Sequence, residues 1–227
     1  QSVTPVPIVM SPTDSNTLYV GTFLSLQSGG SPTLASGVFK STDAGATWVH
    51  SSTGLPRFAG STDSALDVLA LAIHPADPNV LWATASFTAH YFGLGVPLVS
   101  YIYKSTDAGA TWVRSDSGIP PGLDLRALIV DPSNPLNVYA SGAGSEANPG
   151  AVYRSADGGA TWVSISVGLP ADAATVLALD PVDTTRLHAG TNTGVWSLRQ
   201  IPDADADGAP NAIENNAPSS SCPGGTV

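Results

Sequence analysis

Lys40-Ser41-Thr42-Asp43-Ala44-Gly45-Ala46-Thr47-Trp48 returns unchanged as Lys104-Ser105-Thr106-Asp107-Ala108-Gly109-Ala110-Thr111-Trp112. It returns again, lightly edited, as Arg154-Ser155-Ala156-Asp157-Gly158-Gly159-Ala160-Thr161-Trp162. Six residues after each Trp comes Gly54-Leu55-Pro56, Gly118-Ile119-Pro120 or Gly168-Leu169-Pro170. Repetition at spacings of 64 and 50 residues marks an array of one supersecondary unit.

Short apolar runs precede the repeated phrase. They are Val6–Met10 before Ser11-Pro12, Val68–Ile73 before His74-Pro75, Arg126–Val130 before Asp131-Pro132, and Val176–Leu179 before Asp180-Pro181. Runs of this length bounded by Pro, Asn and Asp read as buried strands. A second strand follows each turn, at Thr17–Val20, Val80–Ala83, Val138–Ala140 and Leu187–Ala189. A third follows at Gly37–Lys40, Tyr101–Lys104, Ala151–Arg154 and Gly194–Ser197, and a fourth starts at each motif Trp. Repeated four-stranded antiparallel units predict an all-β propeller.

The repeated phrase suits the hairpin between third and fourth strands. Asp43, Asp107 and Asp157 are expected to accept hydrogen bonds from amides two or three residues on. Gly45, Gly109 and Gly159 are expected to supply a left-handed residue, and Trp48, Trp112 and Trp162 to bury their rings against a neighbouring blade. The pattern Ser-x-Asp-x-Gly-x-Thr-Trp resembles the Asp-box (BNR) repeat of sialidases, xyloglucanases, sortilin-type ectodomains and photosystem II assembly factors. The resemblance covers about residues 1–199 and implies a structural turn remote from any active site. The implied units are about 1–57, 58–121, 122–171 and 172–199, the last one incomplete, followed by a tail at 200–227.

The chain has 227 residues, 42% hydrophobic and 11% charged, enough for a sizeable core. Its 8 Lys and Arg against 18 Asp and Glu give a net charge of −10, which argues against nucleic acid and anionic membranes as partners. No apolar stretch approaches a membrane span. The one cysteine, Cys222, excludes an internal disulfide. Gln1 followed at once by a strand is expected to be a processed N-terminus, placing the protein outside the cell.

A second pattern lies in the tail, from Asp203 to Glu214. With Asp203 at position 1 it sets Asp205 and Asp207 at 3 and 5, Gly208 at 6, Ala209 at 7, Asn211 at 9 and Glu214 at 12. Carboxylates, one backbone carbonyl and a terminal Glu at these positions predict a calcium loop. Ile201-Pro202 forms no entering helix, and Pro210 is unusual for an EF-hand. The segment resembles instead the calcium loops of thrombospondin type-3 repeats. The competing reading is a solvated acidic linker.

Function is expected on the loops between second and third strands, on the face opposite the repeated turns. The loop containing Phe87, His90, Tyr91 and Phe92 is the candidate binding ridge, with packing onto the propeller itself as the alternative. No Arg-Ile-Pro signature accompanies Arg57, Arg114, Arg126, Arg154 and Arg186, and no pair among Asp63, Asp67, Asp124 and Asp172 is singled out for acid–base work. The expectation is a secreted, non-catalytic propeller for binding, adhesion or assembly, whose partner is an extracellular protein, a glycan or further copies of itself. A sialidase- or xyloglucanase-like enzyme and a self-assembling filament subunit are the alternatives. A three-stranded last unit leaves Gly194–Leu198 as an open edge that non-blade chain should cover.

Overall fold

In a computed structural model, residues 2–25, 36–56, 67–87, 99–143, 151–166, 169, 174–200 and 213–216 are described. They form four antiparallel meanders in which every strand pairs with its sequence neighbours. The first is β1 (Ser2–Met10), β2 (Leu18–Ser25), β3 (Val38–Ser41) and β4 (Val49–His50). The second is β5 (Leu71–Ile73), β6 (Leu81–Phe87), β7 (Val99–Ser105) and β8 (Val113–Arg114). The third is β9 (Asp124–Val130), β10 (Val138–Ala143), β11 (Ala151–Ser155) and β12 (Val163–Ser164). The fourth is β13 (Ala174–Leu179), β14 (Arg186–Thr191), β15 (Gly194–Gln200) and β16 (Ile213–Asn216). The chain is all-β, an incomplete propeller of four blades.

The open edge expected on the last unit is covered by the tail. The unit is not left three-stranded, because β16 pairs with β15 in the register Ser197↔Asn216 to Gln200↔Ile213. The tail thus satisfies amides and carbonyls along β15 that would otherwise stand unpaired. No repeated phrase marks β16, so pattern matching passed over it.

Each blade has two apolar faces, and the core lies between blades rather than within one. Tyr19, Val38 and Leu55 of the first blade cluster with Leu71, Leu81, Ala83, Tyr103 and Trp112 of the second. Trp82 and Ile102 of the second cluster with Leu128, Val138, Tyr153 and Trp162 of the third. Tyr139, Val152 and Ile165 of the third cluster with Leu177, Leu187 and Leu198 of the fourth. The innermost strands β1, β5, β9 and β13 stand side by side in that order.

The Gly-Leu/Ile-Pro landmark is the joint between blades. Thr53 accepts the backbone N–H of Trp112 at 2.8 Å, and Ser117 that of Trp162 at 2.8 Å. The next residue in each case, Gly54 or Gly118, takes φ of +94° or +97° and lies so close that a Cβ would sit 2.1 Å from the Trp carbonyl oxygen. Leu55 then enters the first cluster and Ile119 packs against the second. Gly122 also has positive φ but has open space around it. Gly118→Ala is therefore expected to lower unfolding free energy by about 3–5 kcal/mol through clash and strain together. Gly122→Ala, which carries only the left-handed penalty, is expected to cost about 1–2 kcal/mol. Urea denaturation of the two variants checks the difference.

Candidate functional site

The repeated turn has the same bonds in all three copies. Ser41 Oγ donates to Asp43 Oδ1 at 2.8 Å and accepts the Gly45 N–H at 2.9 Å. Asp43 Oδ1 also accepts the Thr47 N–H at 2.8 Å, while Oδ2 accepts the Thr47 hydroxyl at 2.5 Å. Ser105, Asp107, Gly109 and Thr111 repeat the set at 2.8, 2.9, 2.8 and 2.5 Å. Ser155, Asp157, Gly159 and Thr161 repeat it at 2.7, 2.7, 2.9 and 2.6 Å. The carboxylate therefore reaches four residues on, not two or three. The serine and threonine, present in the phrase but given no role in the sequence reading, satisfy as many groups as the aspartate does.

Two consecutive residues, not one, are left-handed. Ala44 and Ala108 have φ of 57° and 56°, Gly158 has 70°, and the glycines that follow are also positive. A second clamp holds each turn from its own blade: Asn16, Asn79 and Leu136, in the connections between first and second strands, accept the N–H of Ala44, Ala108 and Gly158.

The three tryptophans do not behave alike. Trp112 and Trp162 are buried and donate their indole N–H to Ser51 and Ser115 of the preceding blade at 2.8 and 2.7 Å. Trp48 is exposed, contrary to expectation, and donates only within its own turn, to Gly45 at 3.1 Å. The cause is positional, since no described blade precedes the first.

Hydrogen bonds hold the turn carboxylates in the ionised form. Asp43 is pulled down to about 2 by the Thr47 hydroxyl first, then the Thr47 amide and Ser41. Asp107 is lowered in the same way by Thr111 and Ser105. At Asp157 partial burial pushes upward, and the bonds from Thr161 and Ser155 outweigh it.

Other polar side chains are similarly engaged. Asp116 and Asp124 are buried and pair with Arg114 at 2.7 Å and Arg126 at 2.5 Å. His74 Nδ1 accepts the Ala76 and Asp77 amides in its turn, and His188 bonds the Ser197 hydroxyl at 2.8 Å. An open groove between second and third blades is lined by Gly118, Ile119, Pro120, Tyr153, Trp162, Val163 and Ser164, with no carboxylate, Lys, Arg or His in its wall.

Of the candidate binding ridge, His90, Tyr91 and Phe92 lie outside the described residues, and Phe87 ends β6. Of the candidate calcium ligands, Asp203, Asp205, Asp207, Ala209 and Asn211 lie outside them too. Glu214 falls in β16, its backbone opposite Arg199.

No protein-family model matches the sequence, and no curated protein matches it. Solved structures do match. A GH74 xyloglucanase from Xanthomonas campestris aligns over 89% of this chain and 29% of its own, with TM-score 0.62 and 22% identity. The GH74 enzyme of Niastella koreensis aligns over 93% of this chain and 30% of its own, with TM-score 0.61 and 20% identity. A Hadza microbial sialidase aligns over 94% of this chain and 46% of its own, with TM-score 0.55 and 18% identity. The chain thus spans less than half the length of each, and the likeness is one of fold.

Ser155→Ala, which strips the acceptor from the buried Gly159 N–H, is expected to cost about 1–3 kcal/mol in urea unfolding. A second outcome concerns acid. The turn aspartates have folded pKa values below their ordinary 3.8, so their contribution is present above that value. It is lost as pH falls through the folded value, about 2 at Asp43. Melting temperature is therefore expected to fall steeply between these limits in scanning calorimetry.

Proposed function

We propose that this chain is a secreted, non-catalytic Asp-box propeller module. It binds an extracellular glycan or protein through the loops joining second and third strands, and it carries calcium in its tail. The observation behind this reading is the engagement of the repeated carboxylates. Both oxygens of Asp43, Asp107 and Asp157 accept bonds inside their own turns, so the most repeated residues serve the scaffold. Recognition then falls to the loops on the opposite face, with Phe87, His90, Tyr91 and Phe92 as the contact ridge. A glycosidase of xyloglucanase or sialidase type is the second reading, favoured by the likeness in fold to solved enzymes of those two kinds.

Affinity electrophoresis through xyloglucan and a glycan array, alongside assays for released reducing sugar and sialic acid, separates the two. Retention that is lost in Tyr91→Ser and Phe92→Ser, with no sugar released, is the expected result. Release of sugar would establish the enzyme instead.

Calcium has its own test. Asp203, Asp205, Asp207, the Ala209 carbonyl, Asn211 and Glu214 form one ligand set, and Glu214 lies in the strand that closes the last blade. Calcium binding should therefore brace that strand. Titration calorimetry on the chelated protein is expected to show one site, abolished in Asp205→Ala. Calcium at one hundred times Kd should add about 2.7 kcal/mol of stability.

A further inference from the structure

The turn between first and second strands is built alike in every blade. Its first residue closes the neck: the N–H groups of Ser11, His74, Asp131 and Asp180 donate to the carbonyls of Thr17, Val80, Asn137 and Arg186. These four positions are therefore equivalent, and the side chain at each meets the amides that follow it. Asp131 Oδ1 accepts the Ser133 and Asn134 amides at 2.8 and 3.3 Å. Asp180 Oδ1 accepts those of Val182 and Asp183 at 2.8 and 3.0 Å. Ser11 Oγ accepts one, from Thr13, at 3.4 Å. In the second blade the acceptor is a ring nitrogen: His74 Nδ1 takes the Ala76 and Asp77 amides at 3.1 and 2.9 Å.

Carboxylate and imidazole differ in when they lose a lone pair. A carboxylate keeps its acceptors down to about pH 4, whereas an ordinary imidazole takes up a proton at about 6.5. An Nδ1 that accepts two N–H groups is unprotonated, and the neutral ring then carries its proton on Nε2. A further proton goes on Nδ1, where it faces two donors and leaves both amides without an acceptor. The same pair of amides acts in that direction at Asp180. There the Asp183 amide first, and the Val182 amide second, hold the carboxyl below its ordinary 3.8.

We propose that His74 is an acid-sensitive latch: in mild acid it takes up a proton and releases the Ala76 and Asp77 amides, while the aspartate-held turns of the third and fourth blades stay closed. The release travels through Asn79, at the far end of the same turn. Its carbonyl accepts the N–H of Ala108, a left-handed residue of the second repeated turn, at 2.9 Å. That repeated turn leads into Trp112, which is seated on Ser51 of the first blade. Ala72 and Val80, which flank the His74 turn, pack in the cluster shared with the third blade. The charged groups around it are thus Asp77, Lys104 and Asp107 of its own blade, and Asp131 and Asp157 of the third. The four carboxylates close on their own turns and Lys104 donates to the Gly158 carbonyl, so none of these side chains bonds the ring to hold its charged form. Folding therefore favours neutral His74, and this contribution, present above the ordinary imidazole range, is lost as pH falls through it.

Urea unfolding of the unsubstituted chain and of His74→Asp, each at pH 7.5 and 5.5, tests this. The variant should fold, because aspartate already holds the corresponding turn in two other blades. The other three histidines are common to both proteins, so their contribution cancels in the comparison. Between the two pH values the unfolding equilibrium constant is expected to rise about five- to tenfold more in the unsubstituted chain than in His74→Asp. Across the same interval the amide NMR signals of Ala76, Asp77 and Ala108 should move together in the unsubstituted chain and stay in place in the variant. A rise of equal size in both proteins overturns the proposal. So does an Ala108 signal that ignores the other two, or a His74 ring whose nitrogen shifts place its proton on Nδ1 at pH 7.5.

Discussion

The structure depends on one joint, the seat that each blade builds for the tryptophan of the next. The backbone N–H of Trp112 and of Trp162 is received by Thr53 or Ser117. Their indole N–H groups are received by Ser51 and Ser115. A glycine against the Trp carbonyl lets the two chains approach that closely. A buried indole removes a large apolar area from water, and it needs a partner for its N–H once there. Burial and hydrogen bonding are met at one point, and every interblade cluster grows from that point or from its equivalent in the last joint.

The repeated turn follows from the demands of the joint. A tryptophan can be delivered to its neighbour only if the hairpin before it is rigid. Rigidity comes from Ser, Asp and Thr side chains that close on their own backbone. Two left-handed residues in succession, one of them alanine in the first two copies, carry strain that this network offsets. The carboxylate is ionised because it is hydrogen-bonded, and the cause is structural at all three positions. Perturbed carboxylates are a common sign of catalytic sites, and here they are explained by the fold.

The joints are also asymmetric, and that asymmetry shapes what the surface offers. Blade two receives blade one, blade three receives blade two and blade four receives blade three. The first blade's Trp48 has a complete turn behind it and no seat in front of it among the described residues. At the far end, Ile165 replaces the serine that seats a tryptophan elsewhere and is itself buried, which fits a fourth blade that brings no motif tryptophan.

The sequence by itself determined the all-β class, the four units and the role of the repeated phrase. Those features are local: a period of alternating short apolar runs, and turns whose side chains bond within five residues. The roles of Ser41 and Thr47 were not read from the phrase, because which of its side chains closes on which amide depends on the two left-handed residues that shape the turn. Tertiary structure alone decided the rest. The exposure of Trp48, identical in sequence context to Trp112, depends on whether a blade stands before it, and no local pattern encodes that. The strand Ile213–Asn216 carries no part of the repeated phrase, and it becomes a strand because the edge of β15 needs partners. Gly54 and Gly118 stand in the sequence only as part of a recurring Gly-Leu/Ile-Pro landmark, and the neighbouring blade's carbonyl shows why a side chain is excluded there.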